Sequence, residues 1–265
     1  MSFEPLDFEP IKNDERSVLS TDTELAILKL FDTAINSSSS SDIDEKAKRF
    51  VTNLVAFASE KKSGIDQDDD AVSATWEVLI NAASCIPYRH YGQDILVKIV
   101  SLLGAAGDQW KDYPGFGIAM RENWNRNEWL SVNSSFVRLG DRSLSFGLWE
   151  LRDGLECVKA ERKPAPEAVI DTRILVATEW IIHGGRVLLR ESLLNGLSSE
   201  RTSGNPLGAG PLFAGARGFN FERWGFWKSR FGELRKTAVE SWQKPIDEAV
   251  EKMTALEVEL LMPGV

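Results

Sequence analysis

The chain of 265 residues is poor in the residue types that build metal centres and disulfide frameworks. It contains two cysteines and two histidines, and both cysteines, Cys85 and Cys157, lie within apolar helical patterns. Cysteines in such surroundings are typical of reduced, buried thiols rather than of a disulfide framework. We therefore expect no disulfide, no sulfur-ligated metal site and no cofactor.

Long apolar runs are also missing from the sequence. No segment offers the roughly 20 uninterrupted apolar residues that cross a bilayer, and residues 1–16 hold no apolar stretch of signal-peptide length. The net charge of −9 repels a phosphate backbone or an anionic membrane at long range. We expect a cytoplasmic protein, with a nuclear location also compatible, that binds neither nucleic acid nor membranes.

The apolar residues that are present recur with a helical period, and strand-like alternation is absent. We predict an all-α protein, a single bundle of about eight to nine helices. A disordered tail is expected over 1–20, and one domain over 21–262 begins with a capping box at Thr21 and Glu24. Several helices are apolar on more than one side, which fits either a large bundle or a homodimer interface.

The acidic run before the third predicted helix has a calcium-binding alternative. Asp66, Asp68, Asp70 and Glu77 stand at the first, third, fifth and twelfth positions of an EF-hand loop. Ala71, however, occupies the position at which that loop needs a glycine for its sharp turn. We interpret the run as acidic charge that complements a helix N-terminus, and we predict no metal site.

The most apolar predicted helix spans 165–195, and we expect it to lie buried at the centre of the bundle. A narrow polar ribbon interrupts its surface, and it includes Glu179, His183, Arg186 and Arg190. Glu179 precedes His183 by four residues and can raise the basicity of the imidazole, as a general base requires. Arg186 and Arg190 can hold an anionic group. A ladder of opposite charges also solvates the exposed edge of a helix, so a solvated edge, a ligand site and a catalytic site all remain open.

An aromatic segment, residues 219–239, forms a further helix in this prediction. Its main apolar face contains Trp224, Trp227, Phe231 and Leu234. A core helix and the wall of a ligand pocket are alternatives for this face, which makes Trp224 and Trp227 candidate ligand-binding residues. Gly225 and Gly232 lie beside the face, where we expect another helix to approach closely.

A glycine-rich loop, residues 196–218, precedes the aromatic segment and contains six glycines and two prolines. A loop of this length inside a compact domain is usually functional or disordered, and we keep a lid and a disordered segment as alternatives. It is not a phosphate-binding loop, because it lacks the Gly-Lys-Ser or Gly-Lys-Thr ending.

Four blocks occur in order along the chain: Arg121-Glu-Asn-Trp, Glu128-Trp-Leu-Ser-Val-Asn-Ser-Ser-Phe-Val-Arg, Ala177-Thr-Glu-Trp-Ile-Ile-His-Gly-Gly and Phe221-Glu-Arg-Trp-Gly-Phe-Trp-Lys-Ser-Arg-Phe. They resemble the recurrent blocks of a fungal family known only as domain of unknown function 3632. The resemblance implies a cytosolic helical protein of filamentous fungi, in some cases encoded near secondary-metabolite genes. It implies no catalytic residues.

Three functions fit these observations. The first is a binding or scaffolding protein for an unidentified small molecule or protein. The second is an auxiliary tailoring enzyme acting on a small metabolite, with Glu179 and His183 as an acid/base pair in an aromatic-walled pocket under a lid. The third is a regulatory or transcriptional adaptor, which needs an exposed apolar patch.

Overall fold

The computed structural model describes residues 5–13, 19, 21–37, 42–62, 71–122, 129–139, 144–157, 167–196 and 207–261. This part of the chain is helical and contains no strand, which confirms the all-α prediction. Its α-helices are α1 (Glu9–Asn13), α2 (Asp22–Asn36), α3 (Ile43–Lys62), α4 (Ala71–Cys85), α5 (Gly92–Leu103), α6 (Phe116–Glu122), α7 (Trp129–Val137), α8 (Leu144–Leu151), α9 (Glu167–Leu194), α10 (Phe221–Arg235) and α11 (Glu240–Leu261). A 3₁₀-helix (Asp108–Trp110) and a π-helix (Arg152–Cys157) complete the described set.

The described helices outnumber the eight to nine of the sequence prediction. One of the additional helices, α1, lies within the predicted tail, and the region 116–137 contains two short helices, α6 and α7. The acidic run at residues 66–70, and the capping role predicted for it, lie outside the described residues.

The chain divides into two compact units, residues 1–135 (unit 1) and 136–265 (unit 2). The sequence predicts a single domain over 21–262, and the number of independently folding domains stays a prediction.

In unit 1, α3 packs against α5, and α2 packs against both α3 and α4. The predicted capping box is present: the Thr21 hydroxyl accepts the Glu24 N–H, and the Glu24 carboxylate accepts the Thr21 N–H. Phe31 on α2 meets Phe8 and Phe50 edge to face, with ring centroids 5.4 and 5.6 Å apart. The helix period of the apolar residues therefore places an aromatic cluster in the core of this unit.

Residues 5–13 differ from the disordered tail expected for 1–20. Phe8 and Ile11 are each 4% exposed, and α1 contacts α4. Prolines and mixed charge in this stretch are local signals of disorder. Burial of two large apolar side chains against α2 and α4 outweighs them, because each is worth about 1.5–3 kcal/mol.

In unit 2, the predicted central helix is present as α9, which packs against α8, α10, α11 and the π-helix. Two adjacent glycines bring its neighbours close. A Cβ added at Gly185 would lie 2.9 Å from Leu256 Cδ1 on α11, and one at Gly184 would lie 2.9 Å from Val137 Cγ2. The Gly-Gly pair that ends the third sequence block is therefore a packing feature.

The stability of the protein should depend on pH through His90. Its Nδ1 atom accepts the backbone N–H of Gly92 at 3.0 Å, and burial lowers the pKa of His90 below its ordinary value of 6.5. The unfolded chain takes up this proton at a higher pH than the folded chain does. The free energy of unfolding therefore falls as the pH drops below about 6.5 towards the lowered pKa.

The variant His90→Asn tests this dependence, because an amide oxygen can accept the same N–H without titrating. We expect the thermal midpoint of the variant to change less than that of the wild type between about pH 7 and pH 5. Calorimetry at matched ionic strength measures both midpoints. Parallel pH profiles for the two proteins would contradict the assignment.

Candidate functional site

A buried ion pair joins the π-helix to α10 in unit 2. Neither Glu156 nor Arg223 has any exposed side-chain surface. Arg223 Nε donates to Glu156 Oε1 at 2.7 Å, and Nη2 donates to Oε2 at 3.0 Å. This is the paired, charge-assisted geometry in which a guanidinium binds a carboxylate most strongly.

The other N–H groups of Arg223 bind the loop before α10. Nη1 donates to the carbonyls of Leu207 at 3.3 Å and Gly218 at 2.9 Å, and Nη2 donates to the carbonyl of Gly208 at 3.0 Å. A guanidinium has five N–H donors, so each of them binds an acceptor within the protein. Three carbonyls of segment 207–218 therefore converge on one buried cation.

The hydrogen-bond acceptor sites of the Glu156 carboxylate are also filled. Trp227 Nε1 donates to Oε1 at 2.7 Å, and the backbone N–H of Gly210 donates to Oε2 at 2.6 Å. With the two bonds from Arg223, this occupies the roughly four acceptor sites that a carboxylate offers. The Glu156–Arg223 cluster, defined here as these two residues with Trp227 and the backbone of 207–218, is thus closed on itself.

Local backbone features direct the Glu156 and Arg223 side chains into the interior of unit 2. Glu156 lies on the π-helix, where Gly154 packs so closely that a Cβ there would stand 2.5 Å from the Arg173 carbonyl oxygen. Arg223 lies in the first turn of α10, which Asn220 caps by accepting the Arg223 N–H at 2.8 Å. A π-helix is rare and wider than an α-helix; here it carries the carboxylate towards the cluster.

Segment 207–218 is the described part of the glycine-rich loop, and residues 197–206 lie outside the described residues. In this part Leu207 and Phe213 are buried, and the Arg223 guanidinium lies 5.6 Å from the Phe213 ring centroid. Three carbonyls of the segment accept hydrogen bonds from Arg223, and the Gly210 N–H donates to Glu156. Whether the loop 196–218 acts as a lid stays a prediction.

The structure brings two residues of the polar ribbon on α9 together. His183 Nε2 lies 3.4 Å from Glu179 Oε2, and Glu179 is 1% exposed. Arg138 Nη2 lies 2.9 Å from the same His183 nitrogen. Because a guanidinium can only donate, Nε2 can act only as the acceptor in that contact. The lone pair that a general base would use is therefore bonded to Arg138.

The two ribbon arginines lie on the exposed side of α9. Arg186 pairs with Glu259 on α11, and an Arg190 guanidinium nitrogen lies 3.3 Å from Glu191 Oε1. Each positive charge thus has a carboxylate of the same chain beside it. An anionic ligand would have to compete with these carboxylates.

Trp224 and Trp227 are completely buried on α10. Trp224 Nε1 donates to Glu257 on α11 at 2.9 Å, while Trp227 Nε1 belongs to the Glu156–Arg223 cluster. Trp224 meets α9 at Gly185, which is about 200° around the helix from His183. The structure therefore does not bring the two tryptophans to the ribbon. Ligand or catalytic roles for Glu179, His183, Arg186, Arg190, Trp224 and Trp227 stay predictions.

Gly225 and Gly232 do not admit a neighbouring helix, so that expectation is wrong. A Cβ added at either position would meet no atom of the described residues within 4 Å, and both glycines are exposed. The apolar face of α10 already points to the opposite side, because Trp224, Trp227 and Phe231 fill it.

The described residues contain neither a metal-binding cluster nor a membrane-spanning helix. In these ranges, no group of three or more His, Cys, Asp or Glu side chains is placed to hold a metal ion. None of the described helices combines the length and the apolar character needed to cross a membrane.

These features define an all-α protein with a helical unit built around a buried ion pair. The sequence model of a family described as "Protein of unknown function (DUF3632)" matches residues 76–231, more than half of the chain. The chain belongs to this family. All four sequence blocks and both charges of the cluster lie within the matched range. No curated protein and no solved structure matches the chain.

The sequence prediction missed Glu156 and Arg223. A signal for Arg223 was present, since it lies about 40° around α10 from Trp227, on the apolar face. A charged residue on such a face needs a buried partner. The partner is 67 residues away in sequence, so no helical period could have identified Glu156.

Removal of one charge from the cluster should strongly destabilise unit 2. Glu156→Gln keeps the size of the side chain but leaves the Arg223 cation buried without a counter-charge, which costs about 3–5 kcal/mol in the free energy of unfolding. Urea denaturation measures the change. The double variant Glu156→Leu with Arg223→Met should lose less than the sum of the single variants, because neither charge is then stranded.

The control is Asp247→Asn, which breaks the exposed pair between Arg235 and Asp247. Salt and water screen that pair, so we expect a much smaller change in stability. Similar losses for Glu156→Gln and Asp247→Asn would contradict a special role for the buried pair.

Two glycine substitutions should act in opposite directions. A Cβ at Gly210 would lie 2.6 Å from Glu156 Cβ and 3.1 Å from Cys157 Sγ, so Gly210→Ala should cost about 1–3 kcal/mol by overpacking. Gly225→Ala adds a methyl group to an open helix position and should stabilise the protein by up to about 1 kcal/mol. Thermal unfolding of both variants checks the signs, and a neutral Gly210→Ala would show that the loop is not tightly held.

Proposed function

We propose that this protein is a non-catalytic helical binding or scaffolding protein. The observation that supports this function is the closure of the Glu156–Arg223 cluster. Two side chains of the Phe221–Phe231 block, Arg223 and Trp227, bind carboxylate and carbonyl groups of their own chain. A ligand site keeps a few polar groups directed at its ligand, whereas these groups are used to build unit 2.

The polar ribbon on α9 gives further support. Its cations have carboxylates of the same chain beside them, and the His183 lone pair is bonded to Arg138. A solvated charge ladder on the edge of a central helix has this arrangement. The ribbon then serves to keep α9 soluble along one side.

The binding partner in this proposal is an unidentified protein or small molecule. A protein partner is favoured by exposed apolar side chains where α9 and α11 end: Leu193, Leu194, Val258 and Leu261. Arg186 on α9 pairs with Glu259 on α11, so the C-terminal parts of the two helices lie side by side in unit 2. A regulatory or transcriptional adaptor would use the same apolar surface.

The resemblance of the four sequence blocks supports a biological setting for this function. We place the protein in the cytoplasm of a filamentous fungus, with the nucleus as the alternative compartment, in association with secondary metabolism.

A tailoring enzyme is the second candidate function, and one observation favours it. The buried Glu179 carboxylate lies 3.4 Å from the exposed His183 imidazole, and a carboxylate beside an imidazole raises its basicity, as a general base requires. Binding of an anionic substrate group by Arg138 would release His183 Nε2 for this task.

Tryptophan fluorescence separates the two functions, because the chain has nine tryptophans. Wild type and His183→Ala are titrated with common cofactors and a panel of fungal small metabolites. A scaffolding function with a protein partner predicts no saturable response in either protein and similar thermal midpoints. Saturable quenching that His183→Ala weakens, with an unchanged thermal midpoint, would overturn it in favour of a ligand site or an enzyme.

The control variant is Arg186→Gln, which changes a ribbon charge that faces Glu259 rather than His183. Quenching that falls in His183→Ala but persists in Arg186→Gln would locate the ligand at the imidazole. Equal loss in both variants would indicate binding to the whole charged ribbon, and this result too would overturn the scaffolding function.

A further inference from the structure

In unit 1, an open pocket of about 500 Å³ lies between residues 6–9 and α2. Its apolar lining includes Leu6, Leu25 and Leu28, and Leu25 is 39% exposed. Pockets that bind small molecules have volumes of about 300–1,000 Å³ and combine an apolar lining with a few polar groups. The pocket is therefore large enough for a small organic ligand.

Hydrogen bonds and a buried aromatic anchor hold the wall of the pocket that residues 6–9 form. Asn36 Oδ1 accepts the Leu6 N–H, and Asn36 Nδ2 donates to the Leu6 carbonyl, both at 2.8 Å. The Phe8 ring packs on Phe31 with centroids 5.4 Å apart. The wall is thus formed before any ligand binds, which lowers the entropic cost of binding.

Two carboxylates in the pocket each have one oxygen that binds nothing in the described part of the chain. Asp7 Oδ1 accepts the Glu9 N–H at 2.9 Å, and Asp32 Oδ1 accepts an N–H of Asn36 at 2.6 Å. No described residue donates a hydrogen bond to either Oδ2 atom. Each carboxylate therefore keeps about half of its acceptor sites for a ligand.

The charges in and around the pocket favour a cation. Asp7, Glu9 and Asp32 line it together with a single described basic residue, Lys29. The acidic excess behind the net charge of −9 lies entirely in unit 1, since unit 2 contains equal numbers of acidic and basic residues. The field of unit 1 therefore attracts cations and repels anions.

The lining selects an organic amine rather than a bare metal ion. No group of three or more His, Cys, Asp or Glu side chains in the described ranges is placed to hold a metal. An ammonium group has three N–H donors, so it can bind the open oxygens of both Asp7 and Asp32. A carbon chain attached to it can cover Leu25 and Leu28 and remove apolar surface from water.

We propose that this pocket binds a small organic amine, whose ammonium group is bound by the Asp7 and Asp32 carboxylates and whose carbon chain lies on Leu6, Leu25 and Leu28. The site lies in unit 1, so it is independent of the surface proposed for a protein partner in unit 2. No tryptophan is among its described lining residues, so its occupancy needs a readout other than tryptophan fluorescence.

Titration of the full-length chain with hexylamine, a cation at neutral pH, tests the site. Methyl NMR signals of Leu25 and Leu28, assigned with Leu25→Ile and Leu28→Ile, report binding at the pocket. We expect both signals to shift saturably. 1-Hexanol has the same chain without the charge and should bind at least about tenfold more weakly, because it loses the charge-assisted hydrogen bonds. Hexanoate should not bind, because the carboxylates repel it.

Variants that change charge but not shape locate the ammonium group. Asp7→Asn and Asp32→Asn keep an oxygen for their internal hydrogen bonds, and each should weaken hexylamine binding by about tenfold. Lys29→Gln should tighten binding by about twofold to fivefold, because it removes a repelling charge near the exposed surface. The control is Asp22→Asn, an exposed residue of α2 that is not among the lining residues. It should leave hexylamine binding unchanged.

Circular dichroism checks that each variant is folded. Equal binding of hexylamine and 1-hexanol, or unchanged hexylamine binding in both Asp7→Asn and Asp32→Asn, would overturn the proposal. Leu25 and Leu28 signals that do not shift at any hexylamine concentration would overturn it as well. Shifts that spread over unit 1 and vanish at about 150 mM salt would show only general attraction of a cation to an acidic surface, and this result too would overturn the site.

Discussion

Unit 2 depends on the burial of one guanidinium–carboxylate pair. Removing each ion from water costs several kcal/mol, and mutual attraction offsets this only when the remaining donors and acceptors are also satisfied. Arg223 and Glu156 meet that condition, since their hydrogen bonds come from three backbone carbonyls, one backbone N–H and one indole. The conformation of segment 207–218 follows from this requirement, because its carbonyls must turn inward to complete the site.

The same requirement explains the glycine content of the loop. Gly210 lets the backbone approach Glu156 more closely than any side chain would allow, and Gly218 adopts a φ of 75° that favours glycine. A glycine-rich segment is often associated with phosphate binding. Here the absence of side chains lets the backbone carbonyls of the segment approach the buried Arg223 guanidinium. The glycine pair on α9 acts similarly, because it admits Leu256 and Val137.

Local patterns account for what the sequence could predict. The capping box at Thr21 and the bounds of α9 depend on residues within a few turns of one another, and both were found. Interactions between residues that are distant in sequence were not predicted. The partner of Arg223 lies 67 residues away, and Arg138, which determines the role of His183 Nε2, lies 45 residues from that histidine. The order of residues 5–13 likewise comes from α2 and α4 rather than from the segment itself.

The division between buried and exposed charge also bears on the meaning of family membership. The block from Phe221 to Phe231 contains Arg223, Trp224 and Trp227, and all three side chains are buried and form contacts inside unit 2. A match to this block therefore identifies a way of folding rather than a chemistry. A ligand or partner of such a protein would have to contact groups outside the Glu156–Arg223 cluster. In this chain the charged edge of α9 offers such groups, because His183, Arg186 and Arg190 are exposed.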